Sequence, residues 1–216
     1  MPNRPVRLLP VLFLLAHGPL NLLAQQFMAD LVRTKPEGAG ASRLRVSGDK
    51  MRLESIGQQK GGVVVLDLKE GSGFMAIPDQ KTYTMLSPGQ ISPTTPFFRP
   101  SDPENACEAW DKFVGKPGSC TKIGDENLNG RQVVKYKGVA RNGDPGYAWV
   151  DRNLKFVVKW DGKATACELR DITLTSQPPA FFEIPKDYLK MDSIADRKAA
   201  GKKPMPKNAS PKPNKQ

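Results

Sequence analysis

The chain has 216 residues, a formal charge of +11 and a single histidine, His17. The basic charge is unevenly placed: residues 190–216 carry a net +6, residues 1–24 carry +2, and the body between them only +3. It therefore belongs to the tail and marks no binding surface on a folded domain.

Residues 1–24 have the layout of a secretory signal peptide. Arg4 and Arg7 form a positive start, Leu8 to Leu15 is a nearly unbroken apolar run, and Ala24 is a small residue at a cleavage point. His17, Gly18 and Pro19 interrupt the run, which makes it a poor membrane span; an uncleaved anchor is the competing reading. Cleavage leaves about 190 residues from Gln25, enough for one domain with a real core, in the periplasm or outside the cell. That mature chain would hold no histidine, which removes Ser-His-Asp and Cys-His catalysis and histidine metal sites. The expectation is a protein without catalytic centre, cofactor or metal.

The body has period two almost throughout. Leu44 and Val46 alternate with Arg43 and Arg45; after Gly48-Asp49, Met51 and Leu53 alternate with Arg52 and Glu54, a hairpin signature. Strand runs follow at Val63 to Leu68, Phe74 to Ile77 and Thr82 to Leu86, the last two joined by the turn-like Pro78-Asp79-Gln80-Lys81. Residues 87–103 hold five prolines and the pair Phe97-Phe98, which excludes a central strand. A helix is predicted over 104–114, with Ala106, Trp110 and Phe113 near one face, Ser101 or Asp102 as cap and Pro103 in the first turn. Strands resume after the Asn129-Gly130 turn: Gln132 to Val139, Tyr147 to Val150, Lys155 to Trp160 and, after Asp161-Gly162, Ala164 to Leu174. Phe181 to Ile184 reads as a short extended piece, and residues 190–216, rich in Lys and Pro, as a disordered tail. Some nine to eleven strands with tight turns make an antiparallel, mainly β domain over 25–189.

Three cysteines occur. Cys107 and Cys120 flank a short Gly-, Pro- and Lys-containing segment and are expected to be bridged, a closure that stabilises by roughly 3 kcal/mol on the chain-entropy model. Cys167 sits in an alternating strand and is expected to be a buried free thiol.

Several motifs lose to plainer readings. Ser47-Gly48-Asp49-Lys50 has the S-x-x-K form of penicillin-binding enzymes but spans a hairpin turn and lacks the partner motifs. Glu168 and Asp171 suggest paired carboxylates, yet Glu168 and Arg170 alternate with Cys167 and Leu169, which places them on a solvated face. Gly71-Ser72-Gly73 is not followed by a helix pattern, so it is no phosphate loop. Asn208-Ala209-Ser210 fits a glycosylation sequon of a kind that matters only in a eukaryotic secretory pathway.

The run of segments Phe27-Met28-Ala29-Asp30-Leu31-Val32, Arg45-Val46-Ser47-Gly48-Asp49-Lys50-Met51-Arg52, Ile77-Pro78-Asp79-Gln80-Lys81-Thr82-Tyr83, Gly124 to Gly130 and Phe182-Glu183-Ile184-Pro185-Lys186-Asp187-Tyr188 resembles the periplasmic LolA/LolB-like lipoprotein-sorting superfamily. More closely it is similar to the uncharacterised domains of unknown function grouped with it, over roughly residues 27–190. The resemblance implies a curved antiparallel sheet forming an unclosed half-barrel, a helix and loop as lid, and an apolar cavity that holds acyl chains. The proline-rich insertion, the disulfide and the basic tail depart from the lipoprotein carriers.

On that frame Phe97, Phe98 and Trp110 are expected in the lid, and Met51, Leu53, Val65, Phe74, Met85 and Trp149 around the cavity. Phe97-Phe98 reads either as a lid over a ligand or as a pin for a long loop. The expected partner is an apolar ligand or acyl chain, bound by a monomer. The tail offers a contact for an anionic membrane surface or an envelope protein, and no aromatic is interleaved with its lysines as nucleic-acid binding would want. The alternative is a non-catalytic envelope scaffold whose sheet packs shut.

Overall fold

The computed structural model describes residues 26–35, 40–56, 61–87, 97–114, 119–139, 143, 145–163 and 165–191, with the side chains of 112–114 excepted. The expected leader and nearly all of the basic tail, with the sequon, lie outside the described residues, as does the side chain of Phe113.

Twelve strands form one unclosed sheet. They are β1 (Gln26–Lys35), β2 (Ala41–Ser47), β3 (Lys50–Ser55), β4 (Val63–Asp67), β5 (Ser72–Ile77), β6 (Thr82–Leu86), β7 (Thr121–Leu128), β8 (Arg131–Val139), β9 (Pro145–Asp151), β10 (Phe156–Gly162), β11 (Ala166–Leu174) and β12 (Leu189–Lys190). Their spatial order is β12-β6-β5-β4-β3-β2-β1-β11-β10-β9-β8-β7. Two meanders, β1–β6 and β7–β11, are thus joined side by side where β1 pairs antiparallel with β11. Only β12 runs parallel to its neighbour, β6. The connection from β6 to β7 carries α1 (Ala106–Val114), preceded by a 3₁₀ turn at Pro103–Asn105 that Asp102 caps by accepting the Glu104 N–H.

The hairpins expected at Gly48-Asp49 and Asn129-Gly130 form at their glycines, while Asp161 and Gly162 end β10 just before the turn into β11. Gly48 and Gly130 have φ of +59° and +80°, the left-handed conformation that glycine adopts without a Cβ penalty. Lys190 belongs to β12, so ordered chain continues past the expected start of the tail. Residues Pro179–Phe182 form a 3₁₀ turn where an extended piece was expected, because Pro178 and Pro179 fix the backbone before Phe181. Strand β7 was not anticipated.

Register decides which side chains meet. On the inner face, Phe27 opposes Val46, Ala29 opposes Leu44, Leu44 opposes Leu53 and Val46 opposes Met51; Met51 in turn opposes Leu66 on β4. These residues share one core cluster with Phe97, Phe98, Ala106 and Trp110 from the connection, and with Val134, Tyr136, Ala148, Val150 and Trp160 from the second meander. Across β8, β9 and β10, Gly138, Gly146 and Gly162 stand in register. A Cβ on Gly138 would lie 2.6 Å from the Trp110 ring and one on Gly146 2.8 Å from the Trp160 ring. The glycine row makes the space in which the two indoles sit.

Candidate functional site

The connection before β7 packs across the inner face, in the place where a lid was expected. Phe97 stacks on Phe156 at a centroid distance of 5.9 Å, and Phe156 meets Phe27 edge-on at 5.4 Å. Phe98 meets Trp110 edge-on at 5.9 Å, and Trp110 lies 4.9 Å from Trp160. Aromatic pairs at these separations add specific geometry to the area they bury. The polar anchors are few and well placed. Tyr136 Oη donates to the Pro103 carbonyl at 2.6 Å and accepts the Ala106 N–H; Trp110 Nε1 donates to the Val139 carbonyl at 3.2 Å. Val157 N–H donates to the Phe98 carbonyl, and Arg99 Nη1 donates to the Gly48 carbonyl at the β2–β3 turn. Burial lowers the Arg99 pKa, against the pull of the Asp49 charge.

Cys107 and Cys120 are bonded, with Cα atoms 5.4 Å apart, so the start of α1 is tied to the strand that follows it. Cys167 is buried and free, and burial pushes its pKa up to about 12, which keeps it a neutral thiol and a poor nucleophile. Among the described residues no group of three His, Cys, Asp or Glu side chains is placed to hold a metal, and no helix is long and apolar enough to cross a membrane.

Of the expected cavity residues, Met51 and Leu53 face the lid and join Phe97, Phe98 and Trp110 in one cluster. Val65, Phe74 and Met85 do not. They oppose one another across β4, β5 and β6 on the outer face, one residue out of phase with the Val64, Met75 and Leu66 positions that continue the inner one. Met85 is 43% exposed, while Val65 and Phe74 belong to a second, smaller cluster with Val63, Ala76 and Phe182. Trp149 also faces away from the lid: its neighbour Ala148 carries the inner face, opposing Tyr136 and Trp160. The Trp149 indole donates to Glu126 at 2.6 Å and lies beneath the ammonium groups of Lys135 and Lys159, whose stems shield it.

The outer cluster is covered by residues 177–191, a strap that the sequence did not reveal. Phe181 lies under the guanidinium groups of Arg45 and Arg52, at 4.7 and 5.7 Å, and its carbonyl accepts from Arg52 Nη1 at 2.9 Å. Both arginines pair with Glu54. Burial would raise the Glu54 carboxyl, but hydrogen bonds and charge from Arg45 and Arg52 outweigh it and hold the pKa below its ordinary value. The buried Gln177 accepts from Arg45 through Oε1, and Leu189 and Met191 donate to the carbonyls of Lys81 and Tyr83 at the sheet edge.

A cleft of about 510 Å³ lies elsewhere, between β10 and β11, lined by Leu128, Asn129, Arg131, Val158 and residues 168–172. Glu168, expected on a solvated face, is only 15% exposed there, held by Lys159, Arg170 and Asn129.

No protein-family model matches the sequence, and no curated protein matches it. Solved structures do. The chain is similar in fold to an uncharacterized conserved protein from Thermus thermophilus, with 9% identity over 81% of this chain and 94% of that chain and a TM-score of 0.50. PNGF-II is matched with 12% identity and a TM-score of 0.50 over 82% of this chain, which spans a third of that protein (33%). A LolA superfamily protein from Nitrosomonas europaea is similar at 11% identity over 78% of this chain and 97% of that chain, with a TM-score of 0.34. At such identities the likeness is one of fold.

Proposed function

We propose that this chain is an exported, non-catalytic binding protein. It takes an apolar ligand, a lipid or acyl chain, against the inner face of its half-barrel, with residues 97–114 as lid. The observation that carries this reading is that one segment, through Phe97, Phe98 and Trp110, covers apolar surface from both meanders. Moving that one element would uncover hydrocarbon-lined strands. Ligand would replace the aromatic plug, each CH₂ removed from water contributing about 0.8 kcal/mol. The signal-like residues 1–24 would deliver the protein to the periplasm, and the basic tail would bring it to an anionic membrane surface or an envelope protein.

A second reading, an envelope scaffold that binds a protein partner and never opens, is favoured by the completeness of the packing: Phe97 and Met51 are fully buried and Trp110 is 1% exposed. Native mass spectrometry of residues 25–216, purified from the periplasm without detergent, separates the two. An added mass that is lost on denaturation supports the carrier. A bare protein mass, unchanged after incubation with lipid vesicles or fatty acids, overturns it and leaves the scaffold.

A further inference from the structure

The seam between β10 and β11 is the shortest antiparallel joint among the described strands. Their ladder consists of Lys159–Glu168, Trp160–Cys167 and Asp161–Ala166, and then stops. Two irregularities pull the strands apart beyond it. β10 bulges at Val158 against β9, and β11 breaks register with β1 at Asp171, whose φ is +52°. The resulting wedge is the 510 Å³ cleft, within the ~300–1,000 Å³ range of small-molecule sites. No ladder joins Phe156–Val158 to Leu169–Asp171 across it, among the described residues.

The lining combines three features. Leu128, Val158, Leu169 and Ile172 supply apolar surface. Two guanidinium groups border it, and each makes a single ion pair among the described residues, through Nε: Arg131 to Asp151 at 2.5 Å and Arg170 to Glu168 at 3.5 Å. Their terminal nitrogens are left to grip a carboxylate, for which the guanidinium fork is suited. The carboxylate of Glu168 is already held by Lys159, Arg170 and Asn129, whereas Asp171 forms no ion pair among the described residues. A ligand carrying both charges complements the exposed Arg170 and Asp171 together, which a carboxylate alone or a purely apolar molecule does not.

We propose that this cleft binds a short apolar peptide with free ends: its carboxylate on Arg131 and Arg170, its ammonium on Asp171 and its side chains on the aliphatic floor. The cleft's floor residues Val158 and Leu169 are buried and belong to the main core cluster, while Arg170 and Asp171 at its mouth are exposed.

The test is a titration of the ¹⁵N-labelled protein with Leu-Leu, with N-acetyl-Leu-Leu-amide and with laurate, each at millimolar concentration, followed by amide shifts. Leu-Leu should move the amides of Val158 and of residues 169–172, and the capped peptide should bind at least about tenfold more weakly, as expected when a charged hydrogen-bonding partner is removed. Arg170→Glu and Asp171→Lys should each abolish the Leu-Leu shifts. Both side chains are exposed, and unchanged amide positions elsewhere will show that the fold persists. Equal shifts from the capped peptide, shifts from laurate alone, or none from Leu-Leu overturn the proposal. Laurate acting under the lid would instead move amides near Met51 and Trp110, which keeps the two sites distinguishable.

Discussion

The lid and the strap do the same task on opposite faces of one sheet, with different physics. The lid buries Phe97 and Trp110 in a cluster shared by both meanders, and its polar bonds run mostly to backbone carbonyls. The strap covers a smaller cluster on β4 and β5 and is held by charge, Phe181 lying under two arginines that share Glu54. The lid is tied by one disulfide from Cys107 in α1 to Cys120 ahead of β7, whereas the strap comes from the C-terminal side of the fold. A cover built from aromatic burial is integral to stability, and one clasped by charged groups responds to solution conditions.

Trp110→Ala is the most severe way to break this comparison. Truncating a fully buried tryptophan should cost about 3–5 kcal/mol, read as a lowered urea midpoint with unchanged slope. A loss below about 1 kcal/mol would show that the lid is not part of the cooperative core. Replacing Cys107 and Cys120 by Ser should cost about 3 kcal/mol in the same measurement, most of it through the unfolded chain. If the aromatic plug alone held the lid, the loss would be much smaller. On the strap, Phe182→Ala should cost about 2–3 kcal/mol, the value of one buried phenylalanine, and should increase binding of an apolar dye to the uncovered outer face. No change in dye binding would mean that the strap stays seated without it.

The hairpins were legible because Gly48-Asp49 and Asn129-Gly130 write their turn chemistry locally. So were the burial of Phe97, Phe98 and Trp110 and the Cys107–Cys120 disulfide, set between strand signals around a proline-rich insertion. The faces of β4 to β6 were not. Val63, Val64, Val65 and Leu66 are all apolar, since this part of the sheet is covered on both sides; alternation then cannot say which side is inner, and Val65, Phe74 and Met85 were assigned to the wrong one. Trp149 is a buried member of the main cluster, but alternation alone did not show that it lies on the outer side of β9, beneath Lys135 and Lys159. Strand β7 is an exposed edge whose Lys122, Asp125, Glu126 and Asn127 blunt any alternation. The cleft arises from where a ladder ends, a matter of pairing between distant strands that no local pattern records.

The smallest expected effect sharpens the comparison most. The folded pKa of Glu54 lies below the ordinary glutamate value because Arg45 and Arg52 outweigh its desolvation. Its contribution to stability is therefore complete above the unfolded value and is lost as pH falls through the folded one. The pairs are partly exposed, so the contribution should be no more than about 1 kcal/mol. Glu54→Gln should then lower stability at neutral pH by that amount, and the gap to the unmodified protein should close as the solution is acidified below about pH 4. Because Glu54 orients the arginines over Phe181, acid should raise dye binding to the outer face in the unmodified protein before global unfolding, while the lid signal, the NMR resonance of the Trp110 indole N–H, stays constant. A simultaneous loss of both signals would show that strap and lid belong to one cooperative unit, and that charge and burial are not separable here.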